Sequence, residues 1–173
     1  MRGAKNCADN DVRYTWTMTQ KLTAKPISIA SDHRGFSLKE HLKTQLQTQG
    51  YAVKDCGTEN AVERVDAMDY ALALVAEIKH GRSDFAIGIC GSGQMMAITA
   101  NRFPFMRATL LHTEAEGVLA REHGDANMLV LGADAIEIAA AERILRAFLA
   151  TAALGERYAM RRDRLIRLDI SKL

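Results

Sequence analysis

The sequence predicts an α/β fold, a doubly wound, Rossmann-like parallel sheet of about five strands with helices on both faces, forming three layers. Two observations carry this prediction. Short apolar runs alternate along the chain with amphipathic segments of helical period, as expected for successive β–α–β units. The run that ends at Cys90 is apolar on both faces, which is typical of a central strand in a parallel sheet.

In the first half of the chain, apolar runs predict strands at 27–30, 52–56 and 85–90. Apolar residues at helical spacing indicate the two helices between them, first at Leu38, Leu42 and Leu46, and then at Ala71, Leu74, Val75 and Ile78. The first of these helices should end at Gly50, since glycine commonly terminates helices. A short helix over 95–101 is predicted after the third strand.

The second half repeats the alternation. Strands are predicted at 107–111 and 128–131, with a helix over about 113–123 between them. A longer helix follows, with its core face at Ala141, Ile144, Leu145 and Phe148. A last, basic helix is expected after Gly155.

Length and composition indicate one domain. The chain has 173 residues, 48% hydrophobic and 25% charged, which is enough for one well-filled core and too short for two comfortable domains. We place this domain at 25–173. Residues 1–24 are polar and unpatterned apart from Trp16, and they are expected to form a flexible extension outside the fold.

Charge and cysteine content restrict the partners and the compartment. A net charge of +2 gives no broad basic field, so a nucleic-acid partner is not expected and any anionic ligand should be small. Three widely spaced cysteines suit neither a disulfide framework nor a cysteine-based zinc site, which favours a reducing compartment. No apolar run approaches the roughly 20 residues of a membrane span, and the first residues lack a signal-peptide pattern. We expect a cytoplasmic protein.

The strongest candidate for chemistry is Cys90, which is followed by Gly91, Ser92 and Gly93 where the third strand gives way to a helix. Two glycines allow a tight turn whose N–H groups stay open. A helix N-terminus binds anionic oxygens and lowers the pKa of a neighbouring thiol. A buried cysteine that only packs is the alternative, and the Gly-Ser-Gly context favours function over it.

Polar residues also end two other predicted strands, at 31–33 and at His112. In open α/β sheets, ligands bind beyond the carboxyl ends of the strands, near the point where strand order reverses. Three polar clusters at successive strand ends are therefore predicted to share one site.

These residues resemble those of the ribose-5-phosphate isomerase B family, which also contains galactose-6-phosphate isomerase subunits. The resemblance extends over about 27–164 and rests on six pieces in the family's order: Ser-Asp-His-x-Gly-Phe at 31–36, Cys-Gly-Ser-Gly at 90–93, Ala-Asn-Arg at 100–102, His112, Ala-Arg-Glu-His-x-Asp-Ala-Asn at 120–127, and Arg157 with Arg161. It implies interconversion of a phosphorylated aldose and ketose without metal or cofactor. It also implies a homodimer or homotetramer whose active sites lie between subunits.

Such a reaction needs a base at carbon, stabilisation of an enediolate, and proton transfer at the two oxygens. We predict that Cys90 is the base, and that the backbone of Gly91 and Gly93, helped by the Ser92 hydroxyl, holds the oxyanion. By resemblance, His112 with Asp32 opens the sugar ring.

The resemblance also implies a phosphate site made of His33, Arg121, Arg157 and Arg161, part of which comes from the partner subunit. Arg157 and Arg161 are four residues apart on one helical face, and paired guanidinium groups match phosphate oxygens. The alternative for these two is a solvated basic helix.

The chain departs from the family's usual residues at several positions. Met95 replaces the last glycine of the cysteine turn, Ala67 and Met68 lie in a loop that usually carries an aromatic residue and a proline, and Tyr158 stands where a histidine is usual. Loop residues of this kind read ring size and hydroxyl stereochemistry. Ribose 5-phosphate is therefore the default substrate, and a tetrose or hexose phosphate is the alternative.

Other classes were weighed against this reading. A sugar-phosphate-binding subunit without its own turnover is the main competitor. A nucleotide or flavin module is disfavoured because the first turn lacks Gly-x-Gly-x-x-Gly, and a cysteine phosphatase because Met96 occupies the position of its arginine. A metal site at Asp32, His33, His112 and His123 lacks the close ligand spacing that such sites show.

Overall fold

The computed structural model describes residues 24–168, and the predicted extension at 1–24 lies almost entirely outside them. Five strands form one sheet in the order β2-β1-β3-β5-β4, and every neighbouring pair is parallel. The strands are β1 (Ile27–Ser31), β2 (Val53–Asp55), β3 (Ala86–Cys90), β4 (Ala108–Leu110) and β5 (Met128–Gly132). The predicted Rossmann-like α/β class is thus confirmed.

Six helices connect and follow these strands. They are α1 (Phe36–Thr48), α2 (Ala67–Lys79), α3 (Gln94–Ala100), α4 (Glu114–Gly124), α5 (Ile138–Ala150) and α6 (Glu156–Ile166). Side chains cap two of their N-termini. The Asp66 carboxylate accepts from the Met68 amide before α2, and Thr113 and Glu116 form a reciprocal capping box at α4. None of the helices in the described part of the chain is both long and apolar enough to cross a membrane.

The core has two parts, one on each face of the sheet. Helices α1 and α5 cover one face with the leucine series Leu38, Leu42 and Leu46 and with Phe148, and α4 packs beside them. Helices α2 and α3 cover the other face, where Leu74 and Met96 meet alternate residues of the same strands. The central strands are buried along their whole length, which explains their continuous apolar sequences.

The two edge strands are shorter than the sequence predicts. Strand β2 and strand β4 each have three residues, where runs of five were expected. Each edge strand pairs with one neighbour only, and its residues are partly exposed. Because fewer contacts hold the ends of these strands, the regular pairing stops after three residues. The predicted positions of both strands are correct.

A buried lysine joins α1 to β2. The Nζ atom of Lys39 lies 2.6 Å from the Asp55 carboxylate and 2.8 Å from that of Glu40, and its side chain is 2% exposed. Burial by itself would raise the pKa of Asp55, but hydrogen bonds from Lys39 and Lys43 outweigh it and lower that pKa. Hydrogen bonds from the same two lysines lower the pKa of Glu40. Both carboxylates are thus held ionised in the folded state.

We predict that Lys39→Met lowers the free energy of unfolding at pH 7 by about 2 kcal/mol, less than the full cost of breaking a buried pair because Lys43 remains. The stability that the two low carboxyl pKa values provide is present above their unfolded values, near pH 4, and is lost as pH falls through the folded values. The free energy of unfolding of the variant should therefore fall less than that of the parent protein when the pH is lowered from about 5 to about 3. Denaturant unfolding at several pH values measures both effects.

Lys43→Met is the matched control, because Lys43 bonds the same carboxylates from a more exposed position. It should cost about 1 kcal/mol or less. Equal losses for the two variants would contradict the importance given to burial of Lys39.

Candidate active site

The site lies where the winding of the sheet reverses. From β1 the chain crosses to β2 on one side and then to β3 on the other, so the carboxyl ends of β1 and β3 flank the switch point. Ser31 is in register with Ile89, and the Asp32 amide donates to the Ile89 carbonyl at 3.2 Å. Asp32 and Cys90 therefore stand side by side on neighbouring strands, as the sequence predicts.

The Cys90 turn is closed by its own backbone. The Gly93 amide donates to the Cys90 Sγ atom at 3.1 Å, and an amide donor is a partner suited to a sulfur anion. Gly93 has φ of 76°, and a Cβ there would lie 2.4 Å from the Leu110 side chain. This position accepts only glycine for both reasons. Within the single chain, Cys90 is 4% exposed and faces the α2 and α3 side of the sheet.

The amides of the turn are open. Among residues 24–168, the N–H groups of Gly91 and Ser92 have no hydrogen-bond acceptor, so both are available to an anionic oxygen. The Ser92 hydroxyl accepts from the Gln94 amide at 3.3 Å and stands exposed above the turn. Gly91 and Ser92 thus offer open amides, whereas the amide of Gly93 is engaged by Cys90, and an oxyanion site at this turn stays a prediction.

Asp32 starts α1 as well as flanking Cys90. Its Oδ1 atom accepts from the amides of Arg34 at 3.0 Å and Gly35 at 2.9 Å, which fixes the carboxylate in a 94% buried position. Its Oδ2 atom has no hydrogen-bond partner within the described chain. One oxygen therefore orients the side chain, and the other remains for substrate.

His33 is held by the loop before α2. Its Nδ1 atom accepts from the Val65 amide at 3.3 Å, so the proton of the neutral ring is on Nε2. The loop thus fixes the tautomer, and Nε2 can donate to a ligand.

An ion pair that the sequence analysis missed covers the turn. The Arg34 Nη2 atom lies 2.6 Å from Asp134 Oδ2, and Nε donates to Oδ1 at 3.2 Å, which links the end of β1 to the end of β5. A Cβ at Gly91 would lie 2.7 Å from both partners. These hydrogen bonds with Asp134 raise the pKa of Arg34 above its usual value. Asp134 could have been found as a polar residue just after a predicted strand.

His112 lies at the same edge of the sheet but away from Asp32. It follows the edge strand β4, three strand spacings or about 14 Å from β1, so the two side chains do not meet within one chain. Its amide donates to Glu116 at 2.7 Å, and its ring is exposed. Both residues can serve one site only if His112 comes from a second copy of the chain.

Arg121, which the family resemblance assigns to the phosphate site, does not lie at this edge of its own chain. It is in the last turns of α4, at the amino-terminal edge of the sheet, over the rings of Phe85 and Phe148. Its Nη1 atom donates to Asp125 and Ala126, both at 2.7 Å, and Nε donates to the Thr151 carbonyl at 3.2 Å. Burial lowers its pKa. These contacts make Arg121 part of the core.

Arg157 and Arg161 also lie far from Cys90 within one chain. Both approach the ring of Tyr158, which stacks on His123 with centroids 4.3 Å apart. His123 is in the last turn of α4, so the start of α6 is docked at the amino-terminal edge. The length of a five-residue strand, about 16 Å, separates the two edges. These arginines can reach a substrate at Cys90 only from another copy of the chain.

Comparison with known proteins agrees with this geometry. Residues 27–165 match the family model described as Ribose/Galactose Isomerase. Ribose-5-phosphate isomerase B of Escherichia coli is 34% identical over 137 residues, 79% of this chain and 91% of its own length. A ribose 5-phosphate isomerase crystal structure from Thermotoga maritima superposes with a TM-score of 0.80 at 39% identity, covering 84% of this chain and 99% of that one.

Two further relatives carry information on ligands. The crystal structure of ribose-5-phosphate isomerase B from Mycoplasma genitalium with bound ribulose-5-phosphate has a TM-score of 0.79 at 32% identity and covers 83% of this chain and 95% of that chain. A 4-deoxy-4-sulfo-D-erythrose isomerase of a Clostridium strain is 36% identical over 106 residues, 61% of this chain and 67% of its own length.

The fold and these comparisons define an enzyme of the sugar-phosphate isomerase class. Within that class, the chain belongs to the ribose/galactose isomerase family.

We predict that Arg121→Met destabilises the protein by about 3 kcal/mol while leaving the Michaelis constant for a sugar phosphate within about twofold. The substitution removes hydrogen bonds from buried acceptors and exposes no catalytic group, because Arg121 contacts the opposite edge of the sheet. Thermal unfolding and steady-state kinetics below the melting temperature measure the two effects. A large rise in the Michaelis constant with unchanged stability would restore Arg121 to the phosphate site.

Proposed function

We propose that this enzyme interconverts ribose 5-phosphate and ribulose 5-phosphate through a cis-enediolate, with Cys90 as the base at carbon. The observation that carries the proposal is the switch point, where Cys90, the open amides of Gly91 and Ser92, and the carboxylate of Asp32 lie together. The ligands named for the relatives support this substrate.

The chemistry balances within the sugar. Cys90 thiolate takes the C2 proton of the open aldose, the electron pair forms the C1–C2 double bond, and the C1 oxygen becomes an enediolate oxygen. The proton held by Cys90 then returns to C1 while the O2 proton passes to O1, which gives the ketone, so C1 is reduced and C2 oxidised with no external oxidant. The amides of Gly91 and Ser92 are suited to hold the developing oxyanion.

Ring opening must precede this step, since ribose 5-phosphate rests mainly as a closed ring. We assign it to Asp32 and His112, as general acid and base for the anomeric hydroxyl and the ring oxygen. Because these residues end strands three spacings apart, the assignment requires His112 from a second copy of the chain. The proposal therefore includes a homodimer, or a homotetramer built from such dimers, with sites between subunits.

The phosphate is assigned to His33 Nε2 and to Arg157 and Arg161 of the adjoining subunit. Two guanidinium groups one helical turn apart suit a dianion, and α6 carries them on an exposed surface. The cytoplasm remains the predicted compartment, on the strength of the cysteine pattern.

A four-carbon substrate is the second candidate. The relative named as a sulfo-erythrose isomerase has a substrate of this length, and here Ala67 and Met68 form the start of α2. A subunit that binds sugar phosphate without turnover is less well supported, because Cys90 and Asp32 are both present at the ends of neighbouring strands.

We predict that Cys90→Ser lowers the rate of C2 hydrogen exchange between ribose 5-phosphate and deuterated water by about 10³-fold or more, because a hydroxyl is far less ionised than a thiol near neutral pH. The exchange is followed by proton NMR. Circular dichroism and thermal unfolding should match the parent protein.

Cys56→Ser is the matched control. Cys56 follows β2 at the same edge of the sheet, and burial raises the pKa of its thiol, so it is poorly suited to act as a base. Its loss should leave exchange within about twofold. Exchange that survives in Cys90→Ser would remove Cys90 from the mechanism.

We predict that His112→Gln slows turnover of ribose 5-phosphate by about 10² to 10³-fold, the usual worth of a general acid or base. Hydrogen exchange at C1 of ribulose 5-phosphate should fall much less, because that ketose carries phosphate on O5 and remains open. Turnover and exchange are measured on the same preparation, with the remote His80→Gln as control. Equal losses in both assays would argue against a role in ring opening.

A further inference from the structure

Arg34 has hydrogen-bonding capacity beyond its pairing with Asp134. The pair uses Nε and Nη2, and within residues 24–168 the Nη1 group donates to no protein acceptor. The Arg34 side chain is 59% exposed, although its Nε lies against the backbone of Gly91. One edge of the guanidinium is thus anchored over the turn, and the other is open to a ligand.

A cationic groove receives this open edge. A shallow depression of about 510 Å³ is lined by His33, Arg34 and Arg64, with Val65, Asp66 and Ala67 completing its wall. The Asp66 carboxylate is engaged as the cap of α2. Arg64 makes no ion pair in the described part of the chain. Two guanidinium groups and the Nε2 donor of His33 therefore face one small volume beside the Cys90 turn.

We propose that Arg34 is a further substrate-binding residue, which holds the phosphate of the sugar in this groove from the same subunit that supplies Cys90, and that Asp134 sets the strength of this binding. The inference deepens the proposed function and rests on it for the identity of the ligand. The anion is a phosphate monoester, because its dianionic form suits paired guanidinium groups. Within residues 24–168, Arg34 and Arg64 line a groove at the edge that carries Cys90, whereas Arg157 and Arg161 lie at the other edge.

Asp134 acts in two opposing ways. Its carboxylate holds the Arg34 guanidinium over Gly91, so the Arg34 side chain is already ordered when the ligand binds. Its negative charge also opposes that of the phosphate on the same guanidinium. Removing this charge while keeping the side-chain shape should therefore strengthen phosphate binding, whereas removing Arg34 should weaken it.

An ion pair that only stabilises the fold would respond differently to loss of its partners. The Lys25–Asp84 pair, 2.9 Å long and similarly exposed, links the starts of β1 and β3 at the opposite edge of the sheet. Loss of either partner of such an ion pair should lower the stability of the fold and leave ligand affinity unchanged. Opposite effects of the two partners on phosphate affinity are thus the signature of a binding residue.

The test is calorimetric titration of the full-length protein with inorganic phosphate at low ionic strength, for the parent, Arg34→Ala, Asp134→Asn and Lys25→Ala. We expect Arg34→Ala to weaken binding about tenfold and Asp134→Asn to tighten it about threefold, with Lys25→Ala unchanged. Unchanged affinity in Arg34→Ala, or equal weakening in Arg34→Ala and Asp134→Asn, would overturn the proposal. Thermal unfolding of each variant checks the fold.

If Arg34→Ala does not fold, the same phosphate titration of Arg34→Lys tests the proposal. Lysine keeps the charge but not the two-pronged contact, so affinity should fall about threefold, and unchanged affinity would count against Arg34. Because inorganic phosphate needs no turnover, this result is independent of the isomerase assay. A parent protein that binds phosphate through Arg34 but does not exchange the C2 hydrogen of ribose 5-phosphate would sink the proposed reaction and leave the anion site standing.

Discussion

The parallel pairing of β1 with β3 is the constraint on which the site depends. It brings Asp32 beside Cys90, and the Asp32 carboxylate then accepts from the amides of Arg34 and Gly35, in the turn before α1. The start of that helix is also pressed onto β3, since a Cβ at Gly35 would lie 2.7 Å from the Ile89 side chain. The same contacts that join the two strands therefore aim both the carboxylate and the sulfur. A slip of one residue in this register would place the Asp32 and Cys90 side chains on opposite faces of the sheet.

The fold could be predicted because the apolar residues of each strand and helix recur with the spacing typical of that element. Central strands read as continuous apolar runs, and helices as leucine and alanine faces, so only the ragged edges of β2 and β4 were misjudged. The adjacency of Asp32 and Cys90 followed from the rule that ligands collect at strand ends. The position of Arg121 at the other edge could not be predicted, because a motif gives a residue's neighbours in sequence but not the edge of the sheet that its helix reaches. The Arg34–Asp134 pair joins residues 100 positions apart, and no local pattern connects them.

Positive charge is divided between the two edges of the sheet. Arg34 and Arg64 lie at the carboxyl edge near the Cys90 turn, while α6 carries its arginines to the amino edge, where Tyr158 stacks on His123. A single chain thus brings Cys90 together with Arg34 and Arg64, but not with the whole set of residues that the family resemblance implies. An aromatic stack holds the start of α6, and Arg162 donates to the carbonyls of His123 and Leu154. These contacts fix the direction in which α6 leaves the rest of the chain. Assembly and chemistry would then be linked through one short helix.

The floor of the site contains almost no spare space. Gly91 lies beneath the Arg34–Asp134 pair, and Gly93 adopts a left-handed turn against Leu110, so neither can acquire even a methyl group without displacing a neighbour. Changes in this part of the protein would therefore damage the backbone before they altered the choice of sugar. The opposite wall, formed by residues 64–67, is exposed or half-buried and contains no glycine. Directed evolution toward shorter or longer sugars should accordingly find its productive mutations in that loop and almost none in the glycine turn.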